Sequence, residues 1–161
     1  MDKVTNNIYR NTDNGSLRIS DVGKKVTLAG WVNDIRKLGG LTFVTLRDMY
    51  GVTQVIFKEN EEVNLNKEDV VSVTGTVLER ESKNPNMPTG DIEVMAESVT
   101  ILGKCTQTLP FEIKNSDKVI EDLRLKYRYL NLRADYNQKM LKLRSDLLHF
   151  VRNYMHDNNF T

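Results

Sequence analysis

The sequence predicts a mainly β chain with C-terminal helices, in which a five-stranded barrel comes first. Two observations carry this. Between Lys25 and Leu102, apolar and polar residues alternate in five runs separated by turn-forming residues, the signature of half-buried strands. Beyond Leu109-Pro110 the alternation stops, and apolar residues recur at three- and four-residue steps, as in helices that bury one face.

Residues 1–16 are polar, with Asn6, Asn7, Asn11, Asn14 and Gly15, and read as a loose N-terminal arm. In the first strand Val26, Leu28, Gly30 and Val32 alternate with Thr27, Ala29, Trp31 and Asn33. Gly39-Gly40 supplies a turn. In the second strand Val44 and Leu46 share a face with Thr42, while Phe43, Thr45 and Arg47 point the other way. Arg47-Asp48-Met49-Tyr50-Gly51 turns the chain into a third strand, Val52 to Phe57. Glu59 to Glu68 is polar, with room for a short helix. The fourth strand, Val70 to Arg80, sets Val71, Val73 and Val77 on one face. Asn84 to Gly90 is a hairpin-like loop, and Asp91 to Leu102 is the fifth strand. Five strands with one polar insertion between the third and fourth fit an OB-type barrel, with a five-strand sandwich as the alternative. Further on, Asp117 to Arg133 and Ala134 to Asn159 both read as helical. Met140, Leu143, Leu147, Val151 and Tyr154 form a stripe on the second, widened by Leu141, Leu148 and Met155. That stripe is too wide for a solitary helix.

The composition narrows the function classes. A net charge of +1 over 161 residues leaves no global basicity, so any polyanion site is local. Cys105 is the one cysteine, which excludes an internal disulfide and favours a reducing cytoplasm. No apolar stretch is long enough to span a bilayer, so no membrane partner is expected. His149 and His156 have no companion Cys or carboxylate cluster, and no metal site is expected.

Strand parity leaves four side chains outside the valine core: Phe43, Gln54, Arg80 and Glu93. An exposed ring offers a stacking surface to an unpaired base. Glutamine donates and accepts together, arginine forks onto a phosphate or base, and a carboxylate accepts an exocyclic amine. The set would suit single-stranded RNA. It also suits a plain strand surface, with a cross-strand aromatic pair and an exposed Arg80–Glu93 ion pair.

Five ordered blocks extend the comparison: GWVNDIRKLGG (30–40), TFVTLRDMYGVTQVIF (42–57), VTGTV (73–77), NPNMPTGDIEV (84–94) and RLKYRYLNLR (124–133). With them the chain resembles the N-terminal part of bacterial-type aspartyl-tRNA synthetases, which are class II enzymes. The resemblance implies an OB-fold anticodon-binding domain at 17–109 and a hinge at 110–133. It also implies the start of a catalytic domain at 134–161, cut off as the first class II motif begins. By position, Phe43 matches the ring that stacks on the central anticodon base, and Gln54 a hydrogen-bonding residue of the same pocket. Arg36, Arg80, Asn84 and Glu93 match positions contacting the outer anticodon bases or nearby backbone. The chain departs from the family at Asp34 and Ile35, where two arginines are usual, and at Lys37, where an acid is. It departs again at Asn131, usually Asp, and at Ala134, usually Arg.

The resemblance further implies, for the full-length enzyme, ATP-dependent attachment of aspartate to tRNA with Mg2+, in a cytoplasmic homodimer. It implies no catalytic residue, metal or cofactor in this chain, which on its own is expected to be inactive. Two alternatives stay open. One is a stand-alone OB-fold module for RNA or single-stranded DNA, and the other is a non-discriminating or asparaginyl-type relative.

Overall fold

The structure is a computed structural model that describes residues 6–58 and 64–161. The chain divides into two compact units, Met1–Thr106 and Gln107–Thr161.

The first unit holds five strands: β1 (Lys25–Leu38), β2 (Leu41–Arg47), β3 (Val52–Lys58), β4 (Val70–Glu79) and β5 (Ile92–Gly103). Each is hydrogen-bonded to two others, in the cyclic order β1-β2-β3-β5-β4. All pairings are antiparallel except β3–β5, which is parallel and rests on two register pairs, Val55↔Val94 and Ile56↔Met95. The cyclic order closes the five strands into a barrel. What the sequence did not convey is that the sheet is mixed and that it closes through a short parallel contact of two register pairs. Alternation reports which face a side chain takes; it carries nothing about which strand lies beside it or in which direction.

The interior follows from the alternating residues. Val26, Leu28, Val32, Val44, Leu46, Val55, Phe57, Val71, Val73, Val77, Ile92 and Val94 form one buried cluster. Each contributes roughly 1.5–3 kcal/mol by leaving water. Gly39 and Gly40 both take positive φ, 59° and 76°, between the paired Leu38 and Leu41. A two-residue hairpin loop requires that left-handed backbone, which glycine adopts without strain.

Residues 7–16, expected as a loose arm, are docked on the sheet. Asn14 and Asp13 are buried. Asp48 anchors the segment through Asn14 and Arg10: its Oδ2 accepts from Asn14 N at 3.0 Å and Arg10 Nη1 at 3.3 Å, while Oδ1 accepts from Tyr50 N at 2.8 Å and Gly51 N at 3.1 Å. Asn11 N donates to Thr27 O at 3.0 Å. A Cβ on Gly15 would lie 2.1 Å from Tyr50 O, so only glycine permits this approach. Of the short helix expected at Glu59 to Glu68, residues 59–63 lie outside the described ones. Residues 67–68 form a turn, in which Asn66 N donates to Asp69 Oδ2 at 2.8 Å.

The second unit is helical, but the single helix expected over Asp117 to Arg133 is interrupted. A 3-10 segment (Ile113–Lys118) is followed by α1 (Glu121–Lys126), α2 (Arg128–Asn131) and α3 (Asp135–Asp157). Val119 and Ile120 are extended, and Tyr127 leaves helical geometry at φ −109°, ψ 48°. The breaks let Phe111, Ile113, Leu130 and Ala134 share one small core, against which Val119, Leu123 and Tyr127 pack. Asn131, buried, accepts from Tyr136 Oη at 2.9 Å and from Asn137 Nδ2 at 3.1 Å, which ties α2 to the start of α3. The apolar stripe of α3 is exposed, Met140, Leu143, Leu147, Val151 and Tyr154 included.

Candidate nucleic-acid interface

Register places the candidate residues together. β1 and β2 pair Arg36 with Phe43 and Asp34 with Thr45, and β2 and β3 pair Thr45 with Gln54. Arg80 follows directly on β4, and its backbone N–H donates to Asp91 O at 3.0 Å, which starts the connection to β5. Leu78 pairs with Glu93 across β4 and β5. Asp34, Arg36, Phe43, Thr45, Gln54, Arg80, Asn84 and Met87 line one cleft of about 120 Å³.

Gln54 and Arg80 form its polar wall, with Glu93 bonded behind them. Gln54 Nε2 donates to Glu93 Oε2 at 2.8 Å, and Arg80 Nη2 donates to Gln54 Oε1 at 3.2 Å. A carboxylate only accepts and a guanidinium only donates, so the two partners fix which way the Gln54 amide faces. Arg80 Nε stands 3.9 Å from Glu93 Oε2, and both side chains are only 13% exposed. Each Gln54 amide atom keeps spare capacity, one N–H and one lone pair, with which it can meet a ligand.

The loop 84–90 is shaped by its own bonds. Asn84 N donates to Gly90 O at 3.0 Å, Gly90 N to Met87 O at 2.9 Å, and Asn84 Oδ1 accepts from Asn86 N at 3.0 Å. That turn occupies the Asn84 amide oxygen and leaves its Nδ2 as the donor. A Cβ on Gly90 would fall 1.8 Å from Asn84 O, so glycine is needed for the loop to close beside the cleft.

At the other end, Asp34 meets Lys67 Nζ at 3.3 Å and Arg36 Nε at 3.5 Å. Partial burial pushes the Asp34 carboxyl up. The Lys67 ammonium, the Ile35 N–H and Arg36 outweigh it and hold the group below the ordinary carboxylate value. Asp34 is therefore ionised at neutral pH and partly neutralises Arg36. Two polar atoms facing no partner complete the description: Thr45 Oγ1 and Arg80 Nη1 are buried with no hydrogen bond among the described residues.

Five of the six residues singled out from sequence line the cleft, and the sixth, Glu93, is bonded to two of them. Thr45 and Met87 were not singled out. Thr45 shares strand parity with Phe43, a signal that would have found it; Met87 sits in an irregular loop where no periodicity applies. Among the described residues, no group of three or more His, Cys, Asp or Glu side chains could hold a metal ion. No helix among them is long and apolar enough to cross a membrane.

Comparison with known proteins agrees with this arrangement. The family profile described as OB-fold nucleic acid binding domain matches residues 26–102, and that of tRNA synthetases class II (D, K and N) matches residues 120–161. The aspartate–tRNA ligase of Bacteroides thetaiotaomicron is 44% identical over an alignment of 162 positions, which covers 95% of this chain and 27% of that protein. Among solved structures, the aspartyl-tRNA synthetase of Entamoeba histolytica superimposes with a TM-score of 0.81 at 20% identity, over 89% of this chain and 36% of that one; this likeness shows the fold alone. The asparaginyl-tRNA synthetase of Pyrococcus horikoshii gives a TM-score of 0.73 at 27% identity, over 86% and 32%. The chain thus spans about a quarter of the length of the curated relatives it matches. Over that span it is a homologue of the bacterial-type aspartate–tRNA ligases.

Proposed function

We propose that the cleft binds unpaired bases of a tRNA anticodon, and that the chain is the anticodon-binding and hinge part of an aspartate–tRNA ligase. One observation carries this: a half-exposed ring, Phe43, stands beside a preset amide, Gln54, and a guanidinium with an unused N–H, Arg80. Stacking on the ring holds a base, and the polar wall reads its edge. Arg36 and Asn84, which also line the cleft, meet neighbouring bases or backbone. Glu93 acts by orienting Gln54 and Arg80.

The division proposed is an arm at 1–16, the anticodon-binding domain at 17–109, the hinge at 110–133 and the opening of a catalytic domain from 134. The full enzyme would attach aspartate to tRNA using ATP and Mg2+, as a homodimer in the cytoplasm. The described residues offer no donor set for the metal, and no step through ATP or magnesium is assigned to them.

The test is binding of a fluorescent aspartate-type anticodon stem-loop to the 161-residue chain. Phe43→Ala should weaken it by about 1–3 kcal/mol, the worth of one base stack. Affinity should also fall steeply with salt. Unchanged affinity in a folded Phe43→Ala variant would sink the assignment. The resemblance to an asparaginyl enzyme favours one second reading, a chain that also accepts the asparagine anticodon. Equal affinity for the two stem-loops would support it.

A further inference from the structure

Thr45 lines the cleft, with Asp34 as its cross-strand partner on β1 and Gln54 on β3. The neighbours are committed elsewhere: Asp34 to Lys67 and Arg36, Gln54 to Glu93 and Arg80. Thr45 Oγ1 is buried and has no hydrogen bond among the described residues. A hidden hydroxyl without a bond costs free energy. Valine has the same branched shape, suits a strand equally well and would avoid that cost. Arg80, which lines the same cleft, carries in Nη1 a second buried donor with no hydrogen bond among the described residues. Buried polar atoms without partners are rare in folded proteins, and two lining one cleft call for a common explanation.

We propose that the Thr45 hydroxyl hydrogen-bonds the edge of an unpaired nucleobase, one carbonyl oxygen of which accepts from Arg80 Nη1. This makes Thr45 a specificity-determining residue. A guanidinium can only donate, whereas the hydroxyl donates or accepts, so the pair selects a base that presents a carbonyl beside a second polar atom. Thr45 lies between the strand that carries Phe43's neighbour Arg36 and the strand that carries Gln54. Phe43, Thr45 and Arg80 line the same cleft, which puts both atoms within the site where a base stacked on the ring would sit. The inference rests on the RNA-binding role proposed above and adds a residue to it.

The experiment measures binding of the full 161-residue chain to anticodon stem-loops that differ in one loop base, by fluorescence anisotropy. Thr45→Val should weaken the best-bound RNA roughly 3- to 10-fold, the loss of one neutral hydrogen bond. Its discrimination should flatten at one loop position and stay intact at the others. The thermal midpoint should hold or rise, because an unpaired hydroxyl is removed, and the salt slope should not change, because no charge is lost. Thr45→Ser, which keeps the hydroxyl, should retain the wild-type preference. Two results overturn the proposal: wild-type binding by Thr45→Val, or an equal loss for every RNA, while Phe43→Ala still weakens binding. If Phe43→Ala also binds normally, the RNA-binding role itself falls.

Discussion

Truncating Glu93 would show whether Gln54, Arg80 and Glu93 act as one unit. The carboxylate accepts from Gln54 at 2.8 Å and stands 3.9 Å from Arg80 Nε, with both charged side chains 13% exposed. In Glu93→Ala, Arg80 keeps one acceptor, Gln54 Oε1, while Nε loses the Glu93 carboxylate and Nη1 has no hydrogen bond among the described residues. Gln54 loses one of the two partners that fix its amide. A hydrogen bond to a charged group contributes about 1.5–3 kcal/mol. The long, partly screened ion pair adds under about 1 kcal/mol. The expected loss is about 2 kcal/mol or somewhat more. For a unit of this size that lowers the thermal midpoint by roughly 10 °C. Glu93→Gln keeps the shape and an accepting oxygen, and should lose about half as much. Thermal unfolding by far-UV circular dichroism reads the first effect. Anisotropy with the stem-loop panel reads the second: weaker binding and blunted base preference, because Arg80 alone then holds the Gln54 amide. A Glu93→Ala midpoint within about 2 °C of the parent would refute the coupling.

Asp69 gives a pH prediction. Its buried carboxylate accepts from Asn66 N at 2.8 Å and Cys105 N at 2.6 Å and pairs with Lys104 at 3.1 Å. Burial pushes its pKa up, but those partners outweigh it and hold the group below the ordinary 3.8. The stability it contributes is present above that value and is lost as pH falls through the lowered folded-state value. Asp69→Asn should therefore be less stable at neutral pH and show a flatter acid limb in urea titrations below pH 3.8. Asp48→Ala removes four accepted hydrogen bonds and should cost about 3 kcal/mol, with limited proteolysis reporting early cleavage within residues 7–16. Leu143→Gln with Leu147→Gln should reduce ANS fluorescence and concentration-dependent association, since both side chains stand more than half exposed on α3.

Alternation made the interior legible, because each inward valine also had to satisfy the pleat of its strand. The same parity singled out Phe43, Gln54, Arg80 and Glu93, which the fold brings to one place. What it could not convey was neighbour relations. The parallel contact of β3 with β5 joins residues about forty positions apart. The docking of residues 7–16 depends on one carboxylate, Asp48, that looks like an ordinary turn residue in sequence. In the second unit, with the strand alternation gone, Asp117 to Arg133 read as one helical stretch. Burial of Val119, Leu123 and Tyr127 around Leu130 won over that local preference and broke it.

The contact between β3 and β5 has a consequence for motion. Two seams join the β1–β2–β3 meander to the β4–β5 hairpin: β1–β4 with seven register pairs, and β3–β5 with two. Opening free energies are lowest where the fewest paired amides must part together, so breathing of the sheet starts at β3–β5. Gln54 and Glu93 lie on its two sides, and their hydrogen bond is a side-chain clasp over the place that parts most easily. A base held by that clasp would slow the breathing. Hydrogen exchange at Val55, Ile56, Val94 and Met95 would then report occupancy of the cleft, as a clock set by the ligand.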